Sequence, residues 1–313
     1  MSITIAIHGG AGTMRIADIT PQQREDRHEG LRKALRAGWN ILKAGGSALD
    51  AVTEAVMALE DDPLFNAARG AVMTDAGTLE MDAAIMNGTD RAAGAVAGIC
   101  GPRHPILAAR AVMETTPHVL MIGDGALAVA RAAGLSFEPA SWFETPERKA
   151  ALALELTRRA TNAPDTRSDA DRHGTVGAVA RDQNGHLAAA TSTGGLTGKR
   201  VGRIGDTPVF GSGTFADDST CAVSCTGTGE VFIRFTAAAE IAARMRYKGE
   251  NLDVAASDVV AELATKGGDG GLIALAASGD PSMPFNSSGM YRGWADATGR
   301  LHTAIYREPF SVL

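Results

Sequence analysis

The stretch DRHGTVGAVARD, residues 171–182, changes character at Thr175. Charged residues and His173-Gly174 precede this threonine, and the Val/Ala run that follows it is typical of a buried strand. Threonine often opens a strand, because its branched side chain packs well on a pleated surface. A nucleophile held at a strand end would also suit this position. Other parts of the sequence are needed to choose between the two interpretations.

A threonine hydroxyl is a poor nucleophile until a base removes its proton. Cleavage between Gly174 and Thr175 would free the α-amino group of Thr175, which has an ordinary pKa of about 7.7–8.0 and can serve as the base without a histidine. Three features favour this chemistry. The hydrophilic residues 161–173 are typical of a mobile linker, Ser192 and Thr193 follow one hairpin later, and CTGTGE at 225–230 could supply an oxyanion hole.

The composition excludes several classes of protein. The chain has 313 residues, is 45% hydrophobic and carries a net charge of −6. Its Lys and Arg residues form no basic block, which argues against a nucleic acid partner. No stretch approaches the ~20 apolar residues of a membrane helix, and MSITIAIHGG lacks the basic start of a secretory signal. Three cysteines without a CxxC pattern predict reduced thiols, so we expect a cytoplasmic protein.

Helices and strands are predicted in blocks on either side of the linker. Helical periodicity covers residues 21–44, 47–60, 105–115, 124–134, 145–160, 235–245 and 252–265. Strand patterns lie in GAVMTD (70–75), TLEMDAAIMNG (78–88) and RAAGAVAGIC (91–100), and more follow Thr175. Blocks rather than strict alternation predict an α+β fold with stacked, largely antiparallel sheets flanked by helices.

The glycine clusters do not form known nucleotide sites. HGGAGTMR has Arg15 where a dinucleotide motif needs its last glycine, and TGGLTGKR has Thr193 where a P-loop needs its first. No HExxH motif or Cys/His spacing indicates zinc. We therefore expect no cofactor for catalysis. HGGAG is loosely similar to an esterase oxyanion loop, which leaves a Ser/His esterase as one alternative.

Six motifs taken together resemble the plant-type L-asparaginase/isoaspartyl aminopeptidase family of N-terminal nucleophile (Ntn) hydrolases. In order they are IAIHGGAGT, PLFNA, HGTVGAVARD, TSTGGLTGKRVGRIGD, CTGTGEVFIR and MPFNSSGMYRG, and they span Ile5 to about Tyr306. The resemblance implies a single Ntn-hydrolase domain over 1–313 with a four-layer αββα sandwich. It also implies autocleavage into an α subunit, 1–174, with a mobile C-terminal linker at about 161–174, and a β subunit, 175–313.

The resemblance also implies the catalytic residues. Thr175 matches the nucleophile that autocleavage at Gly174-Thr175 exposes. Thr193 matches the hydroxyl that hydrogen-bonds the nucleophile and assists processing. Thr226 and Gly227 match the oxyanion hole.

Four further positions match residues that surround the substrate. Arg203 matches the guanidinium that takes the substrate α-carboxylate, and Asp206 matches the carboxylate that takes its α-ammonium. Gly229 lies in the same binding loop, and Asn66 matches a residue near the active site.

The loop around residues 59–69 resembles one that wraps a structural sodium ion, mainly through backbone carbonyls. The residues that would hold the ion are Leu59, Glu60, Phe65 and Ala67. Here Ala68-Arg69-Gly70 follows Asn66-Ala67 where the family commonly has an earlier glycine, so an arginine lies beside the predicted site. NSSG at 286–289 also departs from the family, which often has an acidic residue before that glycine.

The predicted activity is hydrolysis of the β-amide of L-asparagine and of β-aspartyl (isoaspartyl) dipeptides to L-aspartate. The family assembles as a dimer of αβ units, so we expect a homodimer of such units. A glycosylasparaginase or a taspase-like hydrolase shares the architecture, although glycosylasparaginases typically have His-Asp-Thr where this chain has His173-Gly174-Thr175. An uncleaved, non-catalytic protein that binds aspartate-like ligands is the alternative from another class.

Overall fold

The computed structural model describes residues 3–12, 19–163 and 174–313. Before the predicted linker, the strands are β1 (Thr4–Gly12), β2 (Met81–Asn87), β3 (Ala93–Ile99) and β4 (Leu120–Ile122). The helices of this half are α1 (Pro21–Lys43), α2 (Ala48–Glu60), α3 (Pro105–Thr115), α4 (Gly123–Ala132), α5 (Ala140–Phe143) and α6 (Pro146–Thr161).

After the predicted linker, the strands are β5 (Val176–Arg181), β6 (Leu187–Thr193), β7 (Thr214–Ala216), β8 (Cys221–Gly227), β9 (Gly270–Ala276), β10 (Pro281–Ser282), β11 (Gly289–Ala295), β12 (Leu301–Ala304) and β13 (Ser311–Val312). The helices are α7 (Gly229–Arg234), α8 (Ala237–Ala243) and α9 (Leu252–Thr265), and a π-helical turn, Arg244–Lys248, follows α8.

Two sheets make up the β structure of the described residues. The larger one has nine strands in the order β13-β12-β11-β1-β5-β6-β2-β3-β4, and the smaller one has the order β10-β9-β8-β7. All strand pairs are antiparallel except β3 with β4. Thr175 immediately precedes β5, which lies between β1 and β6 near the middle of the larger sheet.

Four layers result from the packing of these elements. Helices α1, α2 and α3 cover one face of the larger sheet, its other face packs on the smaller sheet, and α8 and α9 cover the far face of the smaller sheet. The residues between the sheets include many alanines on alternate strand positions, among them Ala6, Ala189 and Ala222. Small side chains there let the two backbones approach closely, so the predicted αββα sandwich is confirmed.

Helix starts follow ordinary capping chemistry. The Thr20 hydroxyl accepts a hydrogen bond from Gln23 N, and the Gln23 side chain accepts one from Thr20 N. The two bonds form a complete capping box at the start of α1. The Ser47 hydroxyl accepts from Asp50 N at the start of α2.

Two predicted elements are corrected. GAVMTD does not form a strand, because Ala68 and Gly70 adopt positive φ angles of 40° and 97° that turn the chain, and only Thr74 makes an isolated bridge, with Lys199. The predicted helix 235–245 is shorter than expected, because it begins at Ala237 and passes into the π-helical turn at Arg244. Thr236 has a φ of 44°, so α7 ends before it and α8 begins after it.

The predicted linker at 161–174 is described only at its ends. Helix α6 runs to Thr161, Asn162 caps it in the left-handed conformation, and the chain is described again from Gly174. Residues 164–173, which include most of the predicted linker, lie outside the described part of the chain. No helix in the described residues is long and apolar enough to cross a membrane.

Candidate active site

The predicted nucleophile lies at a buried strand end. Thr175 is 7% exposed, and its hydroxyl donates to Thr193 Oγ1 at 3.2 Å. Strand register explains this contact: Val176 pairs with Ser192 in the antiparallel β5–β6 ladder, so the preceding residue lies opposite Thr193. The two hydroxyls that the sequence places one hairpin apart are therefore brought together.

The carbonyl of Gly174 is held by two side chains. Asn66 Nδ2 donates to it at 2.9 Å, and Thr193 Oγ1 donates to it at 2.8 Å. Asn66 is fixed in turn, because its Oδ1 accepts from Val72 N at 2.9 Å and its Nδ2 also reaches Gly195 O at 2.8 Å. Thr193 thus connects the hydroxyl of the nucleophile to the carbonyl of the peptide bond just before it.

Most of the predicted site residues line a single cleft. It is lined by Gly174, Thr175, Thr193, Gly195, Arg203, Gly205, Asp206, Thr207 and Gly227. Cationic and anionic groups therefore face the nucleophile from one loop, which is the arrangement needed to bind the two charged groups of an amino acid.

The carboxylate of Asp206 forms no ion pair with another described residue. It is 5% exposed, and its Oδ2 has no hydrogen-bond partner among the described residues. Burial raises the pKa of its carboxyl to about 7, although the nearby Arg203 opposes the shift. An unpaired buried carboxylate of this kind is ready to receive a cationic ligand.

Arg203 already has a partner that the sequence did not indicate. Its Nε and Nη2 donate to the two carboxylate oxygens of Glu230, both at 2.9 Å, in a fork. Its Nη1 faces the cleft glycines, since a Cβ on Gly205 would lie 3.0 Å from it. Glu230 therefore orients the guanidinium, while one edge of it remains turned to the cleft.

Two glycines let the backbone come close to neighbouring groups around the cleft. A Cβ on Gly229 would lie 2.9 Å from Asp206 Oδ1 and 3.1 Å from Arg203 Nη2. Gly227 has a φ of 150°, and a Cβ there would lie 2.2 Å from Asp269 O. Neither position has room for a side chain.

Thr226 and Gly227 end strand β8 at the cleft. Gly227 lines the cleft, as an oxyanion donor must. Thr226 is fully buried beside it, and its hydroxyl accepts from Ala11 N at 3.2 Å. The hydroxyl of Thr226 thereby ties the smaller sheet to the glycine-rich end of β1.

A chain of buried hydroxyls lies behind the nucleophile. His8 Nε2 bonds Ser224 Oγ at 2.9 Å, Ser224 Oγ bonds Thr191 Oγ1 at 2.7 Å, and Thr214 Oγ1 donates to Thr191 Oγ1 at 2.7 Å. Burial lowers the pKa of His8 to about 3, so its ring is neutral; the backbone of Thr175 contacts it and opposes part of the shift. No sequence motif indicated this chain of hydroxyls, although Thr191 and Thr193, two positions apart on one strand, signal a polar strand face.

The predicted sodium loop has a definite geometry. Glu60 O accepts from Arg69 N at 3.0 Å, and a Cβ on Gly70 would lie 2.5 Å from Pro63 O and 2.8 Å from Phe65 O. Two carbonyl oxygens, of Pro63 and Phe65, thus lie close to Gly70, and Glu60 O already accepts a hydrogen bond. The Arg69 guanidinium lies over the Trp142 ring at 5.6 Å. In the described part of the chain, no group of three or more His, Cys, Asp or Glu side chains could hold a metal ion.

The side chain of Glu60 binds the strand that carries Thr193. Its Oε1 accepts from Ser192 Oγ at 2.6 Å and from Ile106 N at 3.0 Å, while Oε2 lies 3.3 Å from His104 Nδ1. Burial raises the pKa of Glu60, and the carboxylate raises the pKa of His104. The predicted sodium loop and the active-site strand are therefore mechanically connected.

A threonine at the start of a central strand, in a sandwich of two sheets between helices, defines the class of N-terminal nucleophile hydrolases. A family model described as Asparaginase matches residues 1–305, and the chain belongs to this family of N-terminal nucleophile hydrolases. The resemblance found in the sequence motifs is thus confirmed.

Curated relatives match over nearly the full length. The isoaspartyl peptidase of Salmonella typhimurium is 50% identical over 97% of this chain and 98% of its own. The isoaspartyl peptidase of Escherichia coli is 50% identical over 97% and 96%, respectively. The human isoaspartyl peptidase/L-asparaginase is 39% identical over 97% and 96%.

Proposed function

We propose that this protein is a threonine-type amidohydrolase that cleaves the β-amide of L-asparagine and of β-aspartyl dipeptides, releasing L-aspartate. The observation that carries the proposal is the hydrogen-bonded path from Thr175 Oγ1 through Thr193 Oγ1 to Gly174 O, beside a cleft with Arg203 and Asp206. The names of the curated relatives support both substrates.

The chain first cleaves itself, in this proposal. Thr175 Oγ attacks the Gly174 carbonyl carbon, and its proton is relayed by Thr193 Oγ1 towards the leaving nitrogen. Asn66 Nδ2 and Thr193 Oγ1 hold the carbonyl oxygen while it bears negative charge. The C–N bond then breaks as the Thr175 nitrogen takes up the relayed proton, which gives an ester and frees the Thr175 α-amine. Water hydrolyses the ester to a Gly174 carboxylate and the Thr175 hydroxyl. The products are the chains 1–174 and 175–313.

Substrate hydrolysis reuses the same hydroxyl. The α-amine takes the proton from Thr175 Oγ as the oxygen attacks the substrate's β-carbonyl carbon. Gly227, with Thr226 behind it, stabilises the oxyanion. The amine then gives its proton to the leaving nitrogen, and water releases L-aspartate from the acyl-enzyme. A base of this kind needs no histidine, consistent with a neutral His8.

Arg203 and Asp206 bind the aspartyl end of the substrate. The cleft-facing edge of the guanidinium takes the α-carboxylate, and Asp206 Oδ2 takes the α-ammonium. Arg203 and Asp206 contact only the aspartyl part of the substrate. The site can therefore accept both asparagine, whose amide nitrogen carries only hydrogen, and a β-aspartyl dipeptide, whose amide nitrogen belongs to a second amino acid. The requirement for a free α-ammonium and a free α-carboxylate favours these substrates over an asparagine side chain within a folded protein.

Intact mass spectrometry together with an aspartate-release assay tests the proposal. We expect two species, the smaller one beginning at Thr175, and release of L-aspartate from asparagine and from β-aspartyl dipeptides. Thr175→Ala should remain one chain near the full 32.3 kDa and release no aspartate. A persistent full-length wild-type chain that binds aspartate without turnover would instead identify a binding protein. Hydrolysis without cleavage, blocked by serine-directed reagents, would indicate an esterase.

We also propose that the loop of Leu59, Glu60, Phe65 and Ala67 holds a structural sodium ion through backbone carbonyls. The Phe65 carbonyl close to Gly70 supports it, as does the position of Arg69, whose guanidinium lies on Trp142 rather than in the loop. Exchange of sodium for a bulky organic cation should then lower the thermal unfolding temperature. The homodimer of αβ units and the cytoplasmic location stay predictions.

A further inference from the structure

A second cavity shares a wall with the nucleophile cleft. The cleft itself offers only about 10 Å³ of space, whereas the neighbouring cavity offers about 390 Å³. Gly174 lines both of them. Once the Gly174–Thr175 bond is broken, Gly174 is a chain end, and the cleft can open towards this cavity.

The chemistry of the reaction fixes which side the leaving group must occupy. The Thr175 α-amine protonates the departing nitrogen, so that nitrogen has to lie within hydrogen-bond reach of Thr175 N. Thr175 N is the atom bonded to Gly174. A Cβ on Gly10, which lines the larger cavity, would lie 3.5 Å from Thr175 N and 3.2 Å from Gly174 Cα. The leaving nitrogen therefore departs on the side of the larger cavity.

The wall of this cavity carries a cation that forms no ion pair with another described residue. Arg27, on α1, stands over the Tyr291 ring at 5.4 Å, its Nη1 makes a long 3.4 Å bond to Gln23 O, and its Nε has no hydrogen-bond partner among the residues that the structure describes. The other lining arginine, Arg148, is engaged with Gly70 O at 2.7 Å. Two acidic residues, Asp26 and Glu147, also line the cavity. Both positively and negatively charged side chains therefore face a ligand bound there.

We propose that this cavity receives the leaving amino acid of a β-aspartyl dipeptide and that Arg27 binds its free α-carboxylate. The inference rests on the proposed function and specifies how the same site tells its two substrates apart. A cavity of this size holds a single amino acid residue. Ammonia leaving from asparagine makes no contact with Arg27, so Arg27 is a specificity-determining residue for dipeptides alone.

Kinetics of Arg27→Gln on matched substrates test this inference. We expect kcat/KM to fall about 10- to 100-fold for a β-aspartyl dipeptide, the effect of losing one charge-assisted contact. The rate on asparagine, the extent of autocleavage and the rate on the same dipeptide with an amidated C-terminus should stay within about twofold of their wild-type values. Arg27→Lys should recover part of the dipeptide rate because it keeps the charge.

The matched control is Arg24→Gln, one turn earlier on α1, where the arginine pairs with Glu308 and does not line this cavity. Arg24→Gln should leave kcat/KM unchanged for both asparagine and the dipeptide. An equal loss on asparagine and dipeptide in Arg27→Gln would overturn the inference, as would an equal loss on the free and amidated dipeptides. A wild-type protein that hydrolyses neither substrate would instead contradict the proposed function itself.

Discussion

At the residue scale, the binding role proposed for Asp206 comes with a cost in stability. Burial raises its pKa to about 7, from an ordinary value near 3.8. A carboxyl with a higher pKa in the folded state binds more protons there than in the unfolded chain. The free energy of unfolding therefore falls as pH rises from about 4 to 7, and above pH 7 the protein carries the full penalty of an unpaired buried charge.

Asp206→Asn should stabilise the fold and abolish substrate binding. The free energy of unfolding should be measured in the Thr175→Ala background, where one continuous chain unfolds. There we expect Asp206→Asn to raise it by about 2–4 kcal/mol at pH 8. The difference should shrink by more than half at pH 5, because the native carboxyl is then protonated. When Asp206→Asn is made in the protein that keeps Thr175, the rate of aspartate release should fall by at least about 100-fold. A stability difference that does not change with pH would contradict the assigned titration.

Thr193→Val should block maturation while keeping the size of the side chain. The substitution removes the acceptor for Thr175 Oγ1 and one of the two donors to Gly174 O. Loss of one oxyanion donor typically slows a reaction by about 10²–10³-fold, and we expect autocleavage to slow at least that much. A time course on denaturing gels measures it. Thr193→Ser keeps the hydroxyl and should still cleave, so equal failure of both variants would point to packing instead.

The motifs located the cleft residues but not everything that positions them. Thr193, Arg203 and Asp206 lie within one continuous motif, so their association with Thr175 could be inferred from the chain. The contact of His8 with Ser224 joins residues 216 positions apart, and the fork of Arg203 with Glu230 joins residues 27 apart. Such contacts depend on how the sheets stack, which no local pattern encodes.

At the element scale, long periodic segments were predictable and short ones were not. The predicted helix 252–265 matches α9 in both bounds, and 105–115 matches α3, because each has a continuous apolar stripe. Strands β4 and β7 have three residues each, too few to show a period of two, and were not predicted. GAVMTD shows the opposite error, since its apolar residues are buried in a turn rather than a strand.

Ser224→Ala should test the hydroxyl chain that joins the two sheets. The substitution leaves His8 Nε2 and Thr191 Oγ1 without their shared partner in a fully buried layer, which costs about 1–3 kcal/mol. Thermal or urea unfolding in the Thr175→Ala background measures the loss. The exposed Ser278→Ala serves as the control and should stay within about 0.5 kcal/mol. An equal effect of the two substitutions would mean that the buried chain adds no stability.

At the scale of the whole molecule, the proposed cleavage would divide a sheet whose strands come from both products. In the larger sheet, β1 of chain 1–174 lies between β11 and β5 of chain 175–313, and β6 of the second chain pairs with β2 of the first. Separation of the products would break three ladders in the middle of one sheet. The cut therefore changes the chemistry at Thr175 without dividing the core.

We therefore expect the cleaved chains to stay together in buffer. Size-exclusion chromatography of the matured protein should give one peak that contains both chains on a denaturing gel, with the same elution volume as uncleaved Thr175→Ala. The chains should separate only at denaturant concentrations that unfold the sheet, because each one alone would expose the unpaired edges and apolar face of its strands. Elution of the 1–174 chain alone in buffer would show that the interleaved ladders do not hold the products together.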